Sequence, residues 1–93
     1  MSETIQELMN VIRDRRDHPR EGSYTSSLFR AGPAKILKKV GEEAAEVVVA
    51  GALEGKERLI YESADLIYHL LVLLASQGLS WEDIETELRR RFK

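Results

Sequence analysis

The sequence predicts an all-α fold, a helical bundle of four to five helices built on a long antiparallel helix hairpin. Apolar residues recur at the three- and four-residue spacing of helix faces, and only two prolines and six glycines interrupt these segments. No run alternates apolar and polar residues as a half-buried strand does. With 93 residues, the chain is expected to form one domain, residues 1–93. A domain of this size buries a modest core, so we expect dimerisation to complete the bundle.

The composition is typical of a globular protein that stays in the cytosol. Charged residues make up 32% of the chain, and the net charge of −2 gives no reason to expect nucleic-acid binding. The absence of cysteine excludes disulfides. The first twenty residues lack the apolar segment of a signal peptide. The longest apolar stretch, Leu66–Ala75, is interrupted by His69 and is too short for a membrane span, so no membrane partner is expected.

The first helix is predicted at about Thr4–Asp17. Thr4 and Glu7 have the spacing of a capping box, in which each side chain accepts a hydrogen bond from a free backbone N–H. The segment His18–Ser27 is predicted as a loop from its polar and small residues, followed by a short helical turn, Ser27–Ala31. The apolar stripe of the first helix comprises Ile5, Leu8, Met9 and Ile12.

Two long central helices are predicted to form the hairpin. Pro33 suits the first position of a helix that runs to about Leu53, and Gly55 separates it from a second helix, Lys56–Gln77. A tight turn between long helices produces an antiparallel pair. The expected buried faces comprise Ile36, Leu37, Val40, Ala44, Val47 and Val48 on one helix, and Leu59, Leu66, Ile67, Leu70, Leu71 and Leu74 on the other.

A final helix is predicted at Trp81–Arg91. Gly78 is a natural stop for the preceding helix, and Ser80 with Asp83 forms a second potential capping box. Three arginines at the end of the helix suit the negative end of its dipole.

Acidic residues cluster on both arms of the predicted hairpin. Glu43 and Glu46 share one helix face, with Glu42 beside them, and Glu62 and Asp65 share a face of the partner helix. Glu46 precedes Gly55 by nine residues and Glu62 follows it by seven, so the two groups can meet at similar height. Charged residues on a helix are usually a solvated face, but this pairing favours a metal site. Converging carboxylates repel and raise each other's pKa, and Mg²⁺ or Mn²⁺ bound to oxygen ligands cancels that repulsion.

Cationic residues accompany the acidic clusters and suit a phosphate ligand. Lys35 and Lys39 lie on the face of the first acidic group, although such lysines also decorate ordinary surfaces. Arg58 and His69 share the face of Glu62 and Asp65, where a lone histidine is more often structural than catalytic. The hydroxyl-rich segment 23–26 is either a plain linker or a loop that closes over a ligand.

Two long segments resemble the phosphoribosyl-ATP pyrophosphatases, a branch of the MazG-like all-α pyrophosphohydrolases. The general pattern is Glu-Glu-x-x-Glu followed by Glu-x-x-Asp, and the branch is marked by Ser-Tyr-Thr, Gly-Pro, Lys-Lys-Val-Gly-Glu-Glu and Asp-Leu-Ile-Tyr-His. The matching segments are SYTSSLFRAGPAKILKKVGEEAAEVVVA and YESADLIYHLLVLL.

The resemblance implies Mg²⁺-dependent hydrolysis of phosphoribosyl-ATP, the second step of histidine biosynthesis, by a dimeric enzyme. Glu42 would be a ligand or a base that positions water, and Lys39 and Lys35 would face the phosphates. Beside the resemblance, Arg58 is predicted to bind the substrate because it shares the face of Glu62 and Asp65, and Glu42 or Glu43 is the predicted acceptor of the proton from the attacking water. The implied metal ligands are Glu43, Glu46, Glu62 and Asp65.

Several questions remain open at this stage. One rival function is a house-cleaning enzyme that acts on free or damaged nucleoside triphosphates, and another is a non-catalytic helical module for self-association. The number of metal ions, the attacked phosphorus, the general base and a link to a phosphoribosyl-AMP cyclohydrolase are not fixed by the sequence.

Overall fold

Five α-helices and one π-helical segment form the protein, as described for residues 2–92 by a computed structural model. The helices are α1 Ser2–Asp17, α2 Tyr24–Ala31, α3 Pro33–Val49, a π-helix Ala50–Glu54, α4 Lys56–Ser76 and α5 Trp81–Arg90. Residues 2–92 contain no strand, which confirms the predicted all-α class. The end residues of the predicted domain, Met1 and Lys93, lie outside the described part of the chain.

Helix α1 begins before the predicted start, at Ser2. The proposed capping box of Thr4 and Glu7 is therefore wrong, because Thr4 lies inside the first turn and not at the residue before it. Glu3 in this turn suits the positive end of the helix dipole, which favours the longer helix. The predicted apolar stripe is confirmed: Met9 and Ile12 are fully buried.

Helix α2 includes the last four residues of the predicted loop His18–Ser27. The Ser23 side chain accepts a hydrogen bond from the Ser26 backbone N–H at 3.1 Å and caps the helix, which therefore starts at Tyr24 and not at Ser27. The Ser26 hydroxyl is buried, donates to the Arg15 carbonyl at 2.9 Å and accepts from the Arg20 N–H at 3.1 Å. The polar residues that suggested a loop thus cap α2 and fasten it to α1.

The predicted hairpin consists of α3, the π-helix and α4, with Gly55 as the only residue between the last two. Gly55 has a φ of 93° and a ψ of 173°, a backbone region that is essentially restricted to glycine. The helical path reaches Glu54, close to the predicted end at Leu53, but its last five residues are a π-helix that the sequence pattern did not indicate.

The buried face of α3 is narrower than predicted. Ile36, Glu43 and Ala50 are buried, and they follow each other at seven-residue intervals along the side that faces α4. The prediction that Leu37, Ala44 and Val48 are buried is wrong for the single chain, because they lie off this line and are exposed.

The core lies where α4 passes between α1, α2 and α3. Leu71 and Leu74 are buried as predicted, but Ile67 is 37% exposed. The predicted capping box of α5 is confirmed, with the Ser80 N–H donating to Asp83 Oδ2 at 2.8 Å. The core comprises Met9, Ile12, Leu28, Ile36, Leu71, Val72, Leu74 and Ala75.

Helix α4 is the one helix in residues 2–92 with the length and hydropathy of a membrane span. The core helix of a globular protein meets the same criteria. In this fold α4 contributes four core residues, Leu71, Val72, Leu74 and Ala75, and carries Glu62 and His69 at buried positions.

Candidate metal centre

Three carboxylates from the two arms of the hairpin meet at one point. Glu43 of α3 and Glu62 and Asp65 of α4 each place an oxygen within 4.8 Å of the others. Glu43 and Glu62 are only 6% and 5% exposed, which is rare for glutamate. Glu43 is buried because it occupies the same line as the core residues Ile36 and Ala50.

Two of the carboxylate oxygens are buried without a partner. Glu43 Oε1 and Glu62 Oε1 make no hydrogen bond with any described residue. Burial raises the pKa of Glu43, and the neighbouring charges of Glu46 and Asp65 raise it further. Burial also raises the pKa of Glu62, and the neighbouring carboxylate of Glu46 raises it further. The cluster therefore carries more negative charge than its surroundings compensate.

Glu46 and Glu42 occupy different surroundings. Glu46 is exposed and is not one of the three carboxylates that meet within 4.8 Å, but its charge raises the pKa of both Glu43 and Glu62. Glu46 also lines a cavity of about 290 Å³ together with Ala45, Val49, Glu54 and Glu62. Glu42 lies outside the buried group, with its side chain 46% exposed and 3.6 Å from Lys39 Nζ.

The three predicted substrate-binding cations are not equivalent. Lys39 Nζ lies 3.9 Å from Glu43 Oε2, at the edge of the acidic cluster. Arg58 donates from Nη2 to Glu62 Oε2 at 2.6 Å. Lys35 is exposed and forms no ion pair within residues 2–92.

Arg58 makes two further contacts besides the one with Glu62. Its Nε lies 3.9 Å from Glu54 Oε1, and its guanidinium lies 4.7 Å from the centre of the Tyr61 ring. The side chain is nevertheless 51% exposed, so it borders both the acidic cluster and solvent.

A polar and aromatic cluster beside the carboxylates was missed by the sequence analysis. The Tyr24 hydroxyl lies 3.0 Å from His69 Nε2, and the Thr25 hydroxyl contacts the Tyr68 hydroxyl. His69 is 5% exposed. These contacts form because Tyr24 and Thr25 lie in helix α2. The sequence predicted a loop at both residues, so their packing against α4 was not expected.

The donor set fits a hard divalent cation. All the converging groups are carboxylates, two of their oxygens are unpaired and buried, and the nearby positive charges are only Arg58 and Lys39 among the described residues. Oxygen ligands of this kind are the ones that Mg²⁺ and similar ions prefer. The arrangement can hold such an ion and direct cationic side chains toward an anionic ligand.

A long helix hairpin that brings acidic residues of both arms to one point defines a MazG-like all-α pyrophosphohydrolase. A family model described as phosphoribosyl-ATP pyrophosphohydrolase matches residues 5–92. The chain belongs to the phosphoribosyl-ATP pyrophosphohydrolase family. It is accordingly a hydrolase that acts on a diphosphate bond, and the non-catalytic alternative is set aside.

Similar proteins of known name agree with the family. A phosphoribosyl-ATP pyrophosphatase of Metallosphaera sedula is 53% identical over 93 residues, which cover 100% of both chains. One from Limosilactobacillus fermentum is 53% identical over 94% of this chain and 82% of its own. The histidine biosynthesis bifunctional protein HisIE of Thermoanaerobacter pseudethanolicus is 55% identical over 89% of this chain but only 38% of its own length.

Proposed function

We propose that this chain hydrolyses phosphoribosyl-ATP to phosphoribosyl-AMP and pyrophosphate in the second step of histidine biosynthesis, with Mg²⁺ as cofactor and Mn²⁺ as a substitute. The relatives named phosphoribosyl-ATP pyrophosphatase support the substrate. The observation that carries the chemistry is the buried meeting of Glu43, Glu62 and Asp65, with two carboxylate oxygens unpaired.

Glu43, Glu46, Glu62 and Asp65 are the proposed metal ligands. Glu43 and Glu62 are held by the packing of α3 against α4, so their oxygens are oriented before any ion arrives. Glu46 approaches from the cavity side, where a solvated carboxylate can complete a coordination shell. A bound divalent cation supplies positive charge that offsets the charge on the phosphoryl oxygens.

The remaining site residues are proposed to accept the proton and to bind the phosphates. Water attacks a phosphorus of the α–β anhydride, the bond to pyrophosphate breaks, and Glu42 or Glu43 accepts the proton of the attacking water. Lys39, Lys35 and Arg58 bind the phosphates, and the exposure of Arg58 lets it turn from Glu62 to the substrate.

A second copy of the chain is the proposed partner. Large apolar side chains are exposed around the closed end of the hairpin, and Leu53 is 83% exposed. Contiguous apolar surface of this kind is uncommon on monomers and marks an interface. The same surface explains why Val48, which was predicted to be buried, is exposed in one chain. It comprises Val48, Val49, Leu53, Ile60 and Tyr61.

The proposed domain, residues 1–93, acts in the cytosol, and its product is the substrate of a phosphoribosyl-AMP cyclohydrolase. Two relatives are named histidine biosynthesis bifunctional protein, and this chain covers 38% and 44% of their lengths, so related sequence also occurs within longer chains. A coupled assay with a cyclohydrolase checks this: the cyclohydrolase product must accumulate only when both proteins are present.

The deciding experiment is pyrophosphate release from phosphoribosyl-ATP, with ATP and dCTP as parallel substrates and EDTA as the metal-free control. We expect release from phosphoribosyl-ATP only, and none in EDTA. Glu46→Gln should abolish release with its helical content intact, whereas the matched exposed variant Glu57→Gln should keep it. Release from ATP and dCTP alone would assign the chain to nucleotide-pool cleaning instead.

The dimer has its own test. Leu53→Asp places a charge on the exposed apolar surface, so we expect it to halve the mass measured by light scattering after size exclusion. Leu53 lies away from the core, so far-UV circular dichroism should stay unchanged. A wild-type chain that runs as a monomer at every concentration would refute the proposed interface.

A further inference from the structure

Tyr24 is a half-exposed aromatic residue beside the acidic site, and none of the roles proposed above involves it. Its hydroxyl lies 3.0 Å from His69 Nε2. Its ring lies against that of Tyr68, with the ring centres 6.3 Å apart and the planes inclined by 28°. Tyr24 is nevertheless 50% exposed. Since these contacts engage the hydroxyl and one side of the ring, the exposed area belongs to the rest of the ring.

The surroundings of the Tyr24 ring keep it in one orientation. Tyr68 and His69, both on α4, pack edge to face with their ring centres 4.8 Å apart. The Thr25 hydroxyl contacts the Tyr68 hydroxyl, and the Ser26 hydroxyl fastens α2 to α1, so the helix that carries Tyr24 is fixed as well. A ring that is already fixed loses little conformational entropy when a ligand stacks on it.

The position of Tyr24 suits the base of a nucleotide whose phosphates bind at the acidic cluster. His69, which contacts the Tyr24 hydroxyl, follows Asp65 on α4 by about one helical turn, a rise of about 5.4 Å. The Tyr24 hydroxyl is therefore bound beside the acidic cluster and not over it. In a nucleotide the ribose separates the base from the α-phosphate, so the base must also bind beside the cluster.

Tyr61 is the other strongly exposed tyrosine in residues 2–92, and its surroundings differ. It is 57% exposed, but the Arg58 guanidinium lies 4.7 Å from its ring centre. Tyr61 also belongs to the apolar surface at the closed end of the hairpin, which is proposed to contact a second chain. Within residues 2–92 no cationic side chain lies over the Tyr24 ring, so this ring can accept a ligand.

The adenine of phosphoribosyl-ATP differs from that of ATP in charge. Its second ribose is attached to ring nitrogen N1, and alkylation at N1 makes adenine a stronger base that binds a proton near neutral pH. The flat ring then carries a delocalised positive charge. A cation over the face of a tyrosine ring is attracted by the electrons of that face, in addition to the stacking of the two rings. Neutral adenine gains the stacking alone.

We propose that the exposed face of Tyr24 binds the N1-substituted adenine of the substrate by stacking and a cation–π contact, and so selects phosphoribosyl-ATP over ATP. The inference rests on the proposed function, since it takes the substrate phosphates to lie at the acidic cluster. Tyr24 is the residue that contacts the base, and Tyr68 and His69 are positioning residues that hold its ring.

The test compares the binding of AMP and N1-methyl-AMP in Mg²⁺, measured by calorimetry, because this readout needs no turnover. The two nucleotides differ only in the N1-alkyl group and the charge that it brings. The wild-type chain should bind N1-methyl-AMP about threefold to tenfold more tightly than AMP, the effect of one partly exposed cation–π contact. Tyr24→Leu should lose most of this preference. Tyr24→Phe keeps the ring beside Tyr68 and should retain most of it.

Two controls separate recognition of the base from damage to the site. Inorganic pyrophosphate has no base, so Tyr24→Leu should bind it in Mg²⁺ as the wild-type chain does. Phe92→Leu removes a ring that is 77% exposed beyond the end of α5, and it should keep the preference for N1-methyl-AMP.

Four results would each overturn the proposal: no binding of either nucleotide by the wild-type chain, no preference between them, a preference that persists in Tyr24→Leu, or an equal loss of pyrophosphate binding in Tyr24→Leu. Failure of the proposed function is distinguishable, because it appears as inactivity on phosphoribosyl-ATP while the preference for N1-methyl-AMP and its loss in Tyr24→Leu persist. If only the role of Tyr24 is wrong, phosphoribosyl-ATP is hydrolysed and Tyr24→Leu leaves its KM unchanged.

Discussion

Replacing Glu43 with glutamine should stabilise the metal-free chain while removing its activity. The Glu43 carboxylate is 6% exposed, leaves Oε1 unpaired, and has a pKa raised by burial and by Glu46 and Asp65. The Glu43 charge therefore costs more free energy in the folded chain than in the unfolded chain, where water solvates it. Glu43→Gln removes this charge, keeps the shape of the side chain, and adds an amide donor for the neighbouring carboxylates.

The expected gain follows from the distances. Carboxylate oxygens of the cluster lie within 4.8 Å of one another, at which two like charges repel by about 1 kcal/mol in bulk water and about 3 kcal/mol at an effective dielectric constant of 20. The loss of the 3.9 Å ion pair with Lys39 offsets part of this gain. A net gain of about 1 kcal/mol corresponds to a rise in melting temperature of about 4–8 °C in a domain of this size.

Thermal denaturation in EDTA at pH 7 measures this gain in stability. A Mg²⁺ titration of the same samples measures the loss of metal binding. The wild-type melting temperature should rise with Mg²⁺, because an ion that binds only the folded state stabilises it, whereas that of Glu43→Gln should barely respond. The control Glu57→Gln removes an exposed charge from the first turn of α4 and should cost a few tenths of a kcal/mol. A melting temperature of Glu43→Gln at or below wild type in EDTA would refute the reasoning.

Three other predictions concern pH and the turns. The pKa values of Glu43 and Glu62 are raised above 4.5 in the folded chain, which therefore binds more protons than the unfolded chain above pH 4.5. The free energy of unfolding in EDTA should fall as pH rises from about 4.5 through the raised pKa values, as urea titrations at several pH values can show; a rise over that range would contradict it. Gly55→Ala should cost about 1–3 kcal/mol in urea unfolding because of its backbone conformation, whereas Gly41→Ala inside α3 should gain about 0.5–1 kcal/mol, and equal effects would contradict the strain argument. Ser23→Ala removes the cap of α2 and should cost about 1 kcal/mol in the same measurement, with a wild-type midpoint as the contradicting result.

The long helices could be predicted because each of their signals is local. Pro33 at the start of α3, Gly55 at the turn and the Ser80–Asp83 box act within one or two helical turns, and all three lie where the sequence placed them. The same locality explains the errors. Ser23 and Ser26 have loop-forming composition, yet they are helical or capping because Ser26 bonds to α1, a contact eleven residues back that no local pattern records.

The candidate site was less predictable than the hairpin that carries it. Helical spacing placed Glu43, Glu62 and Asp65 on facing sides, and the structure brings them within 4.8 Å. The spacing did not predict that Glu42 points outward to Lys39. Adjacent residues differ by about 100° around a helix, and the packing of α4 determines which of Glu42 and Glu43 is buried. The cluster around His69 includes side chains of α2, so the predicted hairpin alone could not indicate it.

The position of Glu43 ties the proposed catalysis to the stability of the fold. Ile36 and Glu43 of α3 form one buried line with Ala50 at the start of the π-helix, so an acidic side chain occupies a place where an apolar one would stabilise the hairpin. On the proposed function this cost is offset when a divalent cation binds, since the ion compensates Glu43 and Glu62 together. Without the ion, the hairpin is then least stable at its middle. Without a second chain, it is least stable at its closed end, where Leu53 is exposed. Val49 of this apolar surface lines the same cavity as Glu46 and Glu62, so cation binding and self-association share neighbouring residues, and their effects on the free energy of unfolding should be coupled and not simply additive.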